Sequence, residues 1–225
     1  MRFEDLNWMD VENYLKQDDR LMIVLGACEQ HAYLSLLTDV RIPQTIADAA
    51  SKQTGVLIAP SVNFGVSPYF LQYPGTLSLR TSTLLQVMED IIRSAAGVGF
   101  RRFLVLNGHG GNNGAADHLV EVANSLPHIK IAWYSWWESN SVAAVSMKHN
   151  LAIEHAGWAE AFPFTRVADL PPKTKLPVKT NGLLNATETR NLYGDGMFGG
   201  LYQVGDEIMA EVFQAALDDV LHLLE

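Results

Sequence analysis

Leu21-Met22-Ile23-Val24-Leu25-Gly26-Ala27-Cys28-Glu29-Gln30-His31 is the stretch on which the reading of this chain turns. Five apolar residues run without interruption from Leu21 to Leu25 and stop at Gly26. A short continuous apolar run of this kind reads as a strand buried on both faces of a sheet. In open α/β sheets, ligands bind beyond the carboxyl ends of the strands. Here that position holds Glu29 and His31, with Thr38-Asp39 soon after.

The same alternation recurs down the chain. A helix is expected from Ile42 to Lys52, closed by Gly55. Val56 to Ala59 reads as a second strand, stopped by Pro60. Residues 61–80 are rich in Gly, Pro, Ser and aromatics and have no period, and a loop that long inside a domain is usually functional. A third segment places Leu84, Leu85, Met88, Ile91, Ile92 and Ala95 on one helical face, with Thr81 or Ser82 as cap and Gly97 and Gly99 at its end. Arg102 to Leu106 is a third strand, Asn107 to Gly114 a glycine-rich turn, and a helix through Leu119 and Val122 follows. Ile129 to Tyr134 is a fourth strand. Beyond it the spacing suggests a helix over 155–162, an exposed loop over 171–181, a turn at Asp195-Gly196 and an amphipathic helix over 207–224. Strand and helix alternating at this rhythm predict βαβ units and a mainly parallel sheet covered on both faces.

Composition narrows the function classes. The 225 residues are 48% hydrophobic and 18% charged, ordinary for a globular domain and inconsistent with wholesale disorder. The length suits one domain, residues 1–225. A net charge of −9 argues against nucleic acid and against anionic membranes as partners. The start, Met1-Arg2-Phe3-Glu4-Asp5, lacks the charged n-region and long apolar core expected of a signal peptide, and no apolar run approaches the ~20 residues of a membrane span. The expectation is a soluble cytoplasmic protein. The single cysteine, Cys28, excludes an intrachain disulfide and a four-cysteine zinc cluster, and reads as a small buried apolar residue.

The chemistry gathers at two strand ends. In an extended segment Glu29 and His31 point the same way, and Asp39 is near enough to fold back beside them. His109 arrives after the third strand, in Asn107-Gly108-His109-Gly110-Gly111-Asn112. Mixed oxygen and nitrogen donors suit Zn, Mn or Fe(II) rather than Mg or Ca. Each residue alone has a plainer reading: Asp39 as a helix cap, the glycine turn as a tight strand-to-helix connection. No GxxxxGK[ST], GxGxxG or G-x-S-x-G pattern is present, which argues against a phosphate cradle and a serine hydrolase.

Taken in order, these residues resemble the creatininase family. Leu25 to His31 with Thr38-Asp39 is similar to its G-S-x-E-Q-H-G … T-D signature. Ser67-Pro68-Tyr69-Phe70 with Tyr73 to Leu79 is similar to its G-x-S-x-E-H-x-x-F-P-G-T segment. Asn107 to Asn112 matches its N-G-H-G-G-N motif, and Glu154-His155-Ala156-Gly157-Trp158-Ala159-Glu160 its H-A-G-x-x-E-T motif. The resemblance runs from about residue 20 to residue 210.

It implies a three-layer α/β/α sandwich and a metal-dependent amidohydrolase that cleaves a cyclic or formyl amide through a metal-bridging hydroxide. Two divalent ions per chain are implied, zinc first, manganese or iron(II) as alternatives. Glu29, Asp39 and His109 would hold one, and His31, the shared Asp39 and Glu160 the other. Creatininase proper has its last carboxylate inside the NGH motif, where this chain has Gly111, so Glu160 is the substitute. His155 would be the proton shuttle, with Glu160 beside it, and Glu154 is expected to be exposed. The resemblance also implies a homo-oligomer, hexameric in creatininase. Departures from the family pattern are Ala32 for Gly, Tyr69 for Glu, Phe70 for His and Ala161 for Thr. They leave the metal set intact, put the substrate in question, and keep open a ligand-binding member without turnover. Tyr33 either narrows the pocket or packs. Trp133, Trp136 and Trp137 either wall the substrate or build core and interface.

Overall fold

A computed structural model describes residues 1–178, 180 and 182–225. In chain order the elements are α1 (Trp8–Leu15), β1 (Arg20–Leu25), α2 (Thr38–Thr54), β2 (Leu57–Ile58), α3 (Thr81–Val98), β3 (Arg102–Asn107), α4 (Gly114–Ser125), β4 (Lys130–Ser135), α5 (Asn140–Lys148), β5 (Thr174–Lys175), α6 (Ala186–Tyr193), β6 (Gly200–Leu201) and α7 (Asp206–Leu223).

The main sheet has the order β2-β1-β3-β4 with every pair parallel. β1 explains why. Its side chains alternate across the sheet, so Met22 and Val24 join one core and Leu21, Ile23 and Leu25 the other. On the first face lie Ile42, Ile46 and Ala50 of α2 and Val212, Ala216 and Val220 of α7. On the second lie Leu84, Met88 and Ile92 of α3 and Leu119 and Val122 of α4. The result is the expected three-layer α/β/α arrangement, each buried aliphatic side chain contributing roughly 1.5–3 kcal/mol.

Strand register positions the site. Leu25 pairs with Asn107, and Asn107 with Ser135, so β1, β3 and β4 end flush. The segments leaving β1 and β3 therefore start side by side. The 61–80 loop runs across this edge, joined to it by Gly26 N–H to Val62 C=O and Leu77 N–H to Cys28 C=O, both 2.9 Å.

Several expectations are corrected. The 155–162 helix does not form. Ala156 sits in the left-handed region (φ 55°), and only one 3-10 turn, Trp158–Glu160, precedes Pro163. Neither Thr81 nor Ser82 caps α3; both lie inside it, and Arg80 precedes it with no side-chain cap. α2 begins at Thr38, not Ile42, and runs through Pro43. Asp39 lies within its first turn and does not cap it. Three helices were not expected, α1, α5 and α6. Each has a side-chain cap, from Asn7, Ser139 and Asn185. Part of the 171–181 loop is β5, which pairs antiparallel with β6. Lys179 and Asn181, which that reading covered, lie outside the described residues. Among the described residues, no helix is long and apolar enough to cross a membrane.

Candidate metal centre

Glu29, His31, Asp39, His109 and Glu160 converge at the carboxyl edge of the sheet. The segment after β1 brings Glu29 and His31, the first turn of α2 brings Asp39, and the turn after β3 brings His109. Glu160 arrives from the far side, on the 3-10 turn. Glu29, His31 and Asp39 are all at most 3% exposed.

Asp39 is the hub. One oxygen lies 2.9 Å from His31 Nε2 and the other 2.9 Å from His109 Nδ1. His109 Nε2 lies 3.6 Å from Glu29, and His31 Nε2 3.8 Å from Glu160. The backbone turns each imidazole. His31 Nδ1 lies 3.1 Å from the Glu29 carbonyl, which aims Nε2 inward. His109 Nε2 lies 2.9 Å from the Val66 carbonyl, which aims Nδ1 inward. Each ring thus spends one nitrogen on a backbone carbonyl and, once neutral, turns the lone pair of the other inward.

These atoms suit a cation better than they suit one another. Both oxygens of Glu29, His31 Nε2 and Asp39 Oδ2 are buried without a properly aligned hydrogen bond. Unpartnered buried polar atoms are rare and costly, so four in one place call for a missing charge. Two sets of three converge with ligand atoms within 4.8 Å of one another: Glu29, Asp39 and His109, and His31, Asp39 and Glu160. Asp39 belongs to both. Oxygen and imidazole donors of this mix fit zinc, manganese or iron(II).

The electrostatics carry the same imprint. Burial pushes Glu29 and Glu160 up to about 7. Burial disfavours charge on His109 and His31, but the carboxylates outweigh it, raising His109 to about 9 and His31 well above its usual value. At Asp39 the two imidazoles outweigh burial and hold the carboxyl low. His155 goes the other way, held well below the usual histidine range by burial and by the neighbouring His31.

Gly111 carries no donor, and its backbone leaves little room for one. A Cβ there would lie 1.9 Å from the Val66 carbonyl oxygen and 2.5 Å from His109 Nε2, so a side chain would have to push one of them aside. Glu160 reaches the cluster from the 3-10 turn instead. Its Oε2 accepts the Ala156 N–H at 2.6 Å.

His155 borders the centre, its Nε2 3.7 Å from Glu29 Oε1. Phe70 stacks on it at 4.8 Å and 16°, and Phe198 lies 4.9 Å away. These groups line a cavity of about 510 Å³ that also takes in Trp137 and Glu154. Glu154 is half-buried on the cavity wall, contrary to the expected exposure. The tryptophans divide their roles. Trp137 faces the cavity, Trp136 is buried in the core, and Trp133 packs against the opposite core. Tyr33 packs edge-on against Tyr202. Ala32 has φ 49°, a conformation that glycine adopts without strain. Cys28 is half-buried, its thiol 3.3 Å from the Gly75 carbonyl.

Sequence reasoning missed Phe198, Ser67 as a neighbour of His109 at 3.2 Å, and the contacts of Gln30. The Asp195-Gly196 turn signal marks the loop that carries Phe198, and Gln30 stands between two residues already singled out.

Comparison with known proteins gives the family and the fold. A family model described as Creatininase: Creatinine amidohydrolase matches residues 4–224. Creatinine amidohydrolase of Pseudomonas putida is 27% identical over 202 residues, 77% of this chain and 78% of that protein. A mycofactocin precursor peptide peptidase of Mycobacterium tuberculosis is 36% identical over 111 residues, 44% of each chain. A solved structure described as Creatininase Mn superposes with a TM-score of 0.80 at 22% identity, covering 99% of this chain and 96% of the other. A creatininase variant described as Zn-Zn type gives a TM-score of 0.79 at 22% identity, with coverage of 99% and 96%.

Proposed function

The chain belongs to the creatininase family, and on that premise we propose that it is a metal-dependent amidohydrolase cleaving a non-peptide carbon–nitrogen bond in a small cyclic or formyl amide. The observation that carries this reading is the set of buried, unpartnered donor atoms around Asp39. Glu29, Asp39 and His109 would hold one divalent ion, and His31, Asp39 and Glu160 a second. Zinc is the first choice and manganese or iron(II) the alternatives. Bound there, the ions would supply Lewis-acid charge to an amide carbonyl and acidify water toward a pKa of ~7.

The chain's own residues do the rest. The Val66 and Glu29 carbonyls orient the two ligand imidazoles. Phe70, Phe198 and Trp137 give the cavity flat apolar walls, which suit a planar amide. His155 is neutral, because burial and His31 keep it so. It takes a proton from the attacking water and passes it to the leaving nitrogen, so the ring ends the cycle as it began. We take residues 1–225 as one catalytic unit on their length, and as cytoplasmic, and take the homo-oligomer from family resemblance.

Elemental analysis tests the reading. After dialysis against zinc or manganese, wild type is expected to hold two ions per chain and Glu160→Ala one. A chelator is expected to abolish hydrolysis in a screen of cyclic and formyl amides. A chain that retains no ion after either dialysis overturns the proposal. Two ions with no turnover on any amide point to a binding protein.

A further inference from the structure

We infer that Gln30 is a positioning residue: its side-chain amide fixes which nitrogen of His155 carries the proton and keeps the other out of the metal-ligand set. The inference rests on the reading of His155 as the proton carrier.

The need for such a residue is visible in the cluster. Glu29, His31 and His155 form a third set of three whose ligand atoms converge within 4.8 Å. With Nε2 free, His155 could join the ions, and a coordinated imidazole has no lone pair left for proton transfer.

Gln30 is tied down on every side. Its backbone N–H donates to Thr76 Oγ1 at 3.0 Å. Its side-chain oxygen accepts the Ala32 N–H at 3.1 Å. Its side-chain nitrogen donates to the Gly196 carbonyl at 3.1 Å and lies 2.9 Å from His155 Nε2. Amide oxygen and nitrogen are often interchangeable in a structure, but not here. Reversal would face oxygen against the Gly196 carbonyl and N–H against the Ala32 N–H. The orientation is therefore set by two backbone groups, and the second N–H of the amide points at His155.

A nitrogen that meets an N–H donor at 2.9 Å must be the acceptor. Neutral imidazole has one donor and one acceptor, so the proton sits on Nδ1. The alternative, a proton on Nε2 directed at Glu29, would face a 3.7 Å gap and collide with the amide hydrogen. Gly196 guards the arrangement. It has φ +99°, and a Cβ there would come within 1.7 Å of the Gln30 oxygen. The short Asp195-Gly196 turn thus holds an amide, the amide holds a ring, and the ring keeps its proton on Nδ1 and its lone pair on Nε2, the nitrogen that faces the centre and would take a proton.

The tautomer can be read directly. Long-range proton–nitrogen correlation on protein labelled with ¹⁵N-histidine separates Nδ1–H from Nε2–H, and His155→Asn assigns the signal. In chelator-treated and in zinc-loaded wild type, His155 is expected as Nδ1–H with a bare Nε2. Gln30→Glu turns an acceptor toward the ring and is expected to move the proton to Nε2. Gln30→Met keeps the bulk without a donor and is expected to lose the single tautomer. Both variants are expected to lower kcat by at least about tenfold, within the usual range for general acid–base groups, while KM changes by less than about twofold. Nε2–H in wild type, zinc coordination at His155 Nε2, or an unchanged tautomer in both variants would overturn the inference. The spectrum needs no substrate, so failure to find amide turnover would count against the proposed function and leave the Gln30 assignment intact.

Discussion

Asp39 joins the two halves of the centre through one carboxylate, 2.9 Å from an imidazole on each side. Gly111 beside it acts by what it lacks. Gly111→Ala is expected to push the Val66 carbonyl or the His109 ring aside and to cost about 1–3 kcal/mol, as overpacked sites do. At about 2–4 °C per kcal/mol for a chain of this size, thermal denaturation would register the loss, and metal analysis would show a weakened His109 site. An unchanged melting point and metal content would show that the loop yields freely. Residues that supply a charged or imidazole group are legible in the sequence where they sit at a strand end, because their chemistry is carried in the side chain itself. Glu29, His31, Asp39 and His109 can be named that way, whereas Glu160 and His155 are named only through the family resemblance. Gln30 and Phe198 cannot be given roles that way. A glutamine acts only through the partners that meet it, and those partners come from residues 32, 76, 155 and 196. Glu154 defeats the sequence for the same reason, since its exposure depends on the wall around it.

Elements differ in how far their own residues announce them. β1 and β3 are continuous apolar runs and declare themselves. α1, α5 and α6 span only 8, 9 and 8 residues, too short for a periodic face to stand out, and depend on caps and packing. The expected 155–162 helix satisfied spacing but not backbone, because Ala156 turns left-handed where Glu160 must be reached. The early start of α2 was hidden by Pro43. A proline so near the start withholds only the N–H that would bond Asp39's carbonyl, and the helix tolerates it. The β6 side of the cavity hangs on Asp195. It pairs with Lys175 of β5, accepts the Tyr202 hydroxyl at 2.7 Å and the Met197 N–H at 3.3 Å, and so holds the turn carrying Gly196 and Phe198. Asp195→Ala is expected to loosen that wall. KM for any amide found should rise several-fold while the ion count stays at the wild-type value. A change in ion count without a change in KM would place the anchor's influence elsewhere.

For the whole molecule, metal bound at this candidate centre would be linked to protons and to stability. Without ions, His109 at about 9 stays protonated at pH 7, and Glu29 and Glu160 at about 7 share further protons. An entering ion must displace them. Calorimetric zinc binding at pH 7 in buffers of different ionisation enthalpy is expected to show net release of at least about one proton per chain, falling toward none above pH 9. Release of none at pH 7 would mean that the ions bind elsewhere. The same shifts fix how the stability of the ion-free protein varies with pH. Carboxyls and imidazoles whose folded values are raised contribute stability below their unfolded values and lose it as pH rises through the folded ones. Asp39, held low, acts oppositely but only in strong acid. His155, also held low, offsets part of the gain near pH 6. The ion-free protein should therefore melt lower at pH 9 than at pH 6, and saturating zinc should close the gap. The three-layer plan was legible because it follows from alternation alone; the meeting of Glu160 with the strand-end residues was expected only from the family resemblance, since no local pattern sets a distance between segments so far apart in the chain. That crossing makes the two halves of the cluster separable. Glu29, Asp39 and His109 ride on the sheet edge and on the helix seated against it, whereas the set of His31 and Asp39 draws its third donor, Glu160, from a separate segment. A change confined to that segment would alter one set and leave the three donors of the other where they stand.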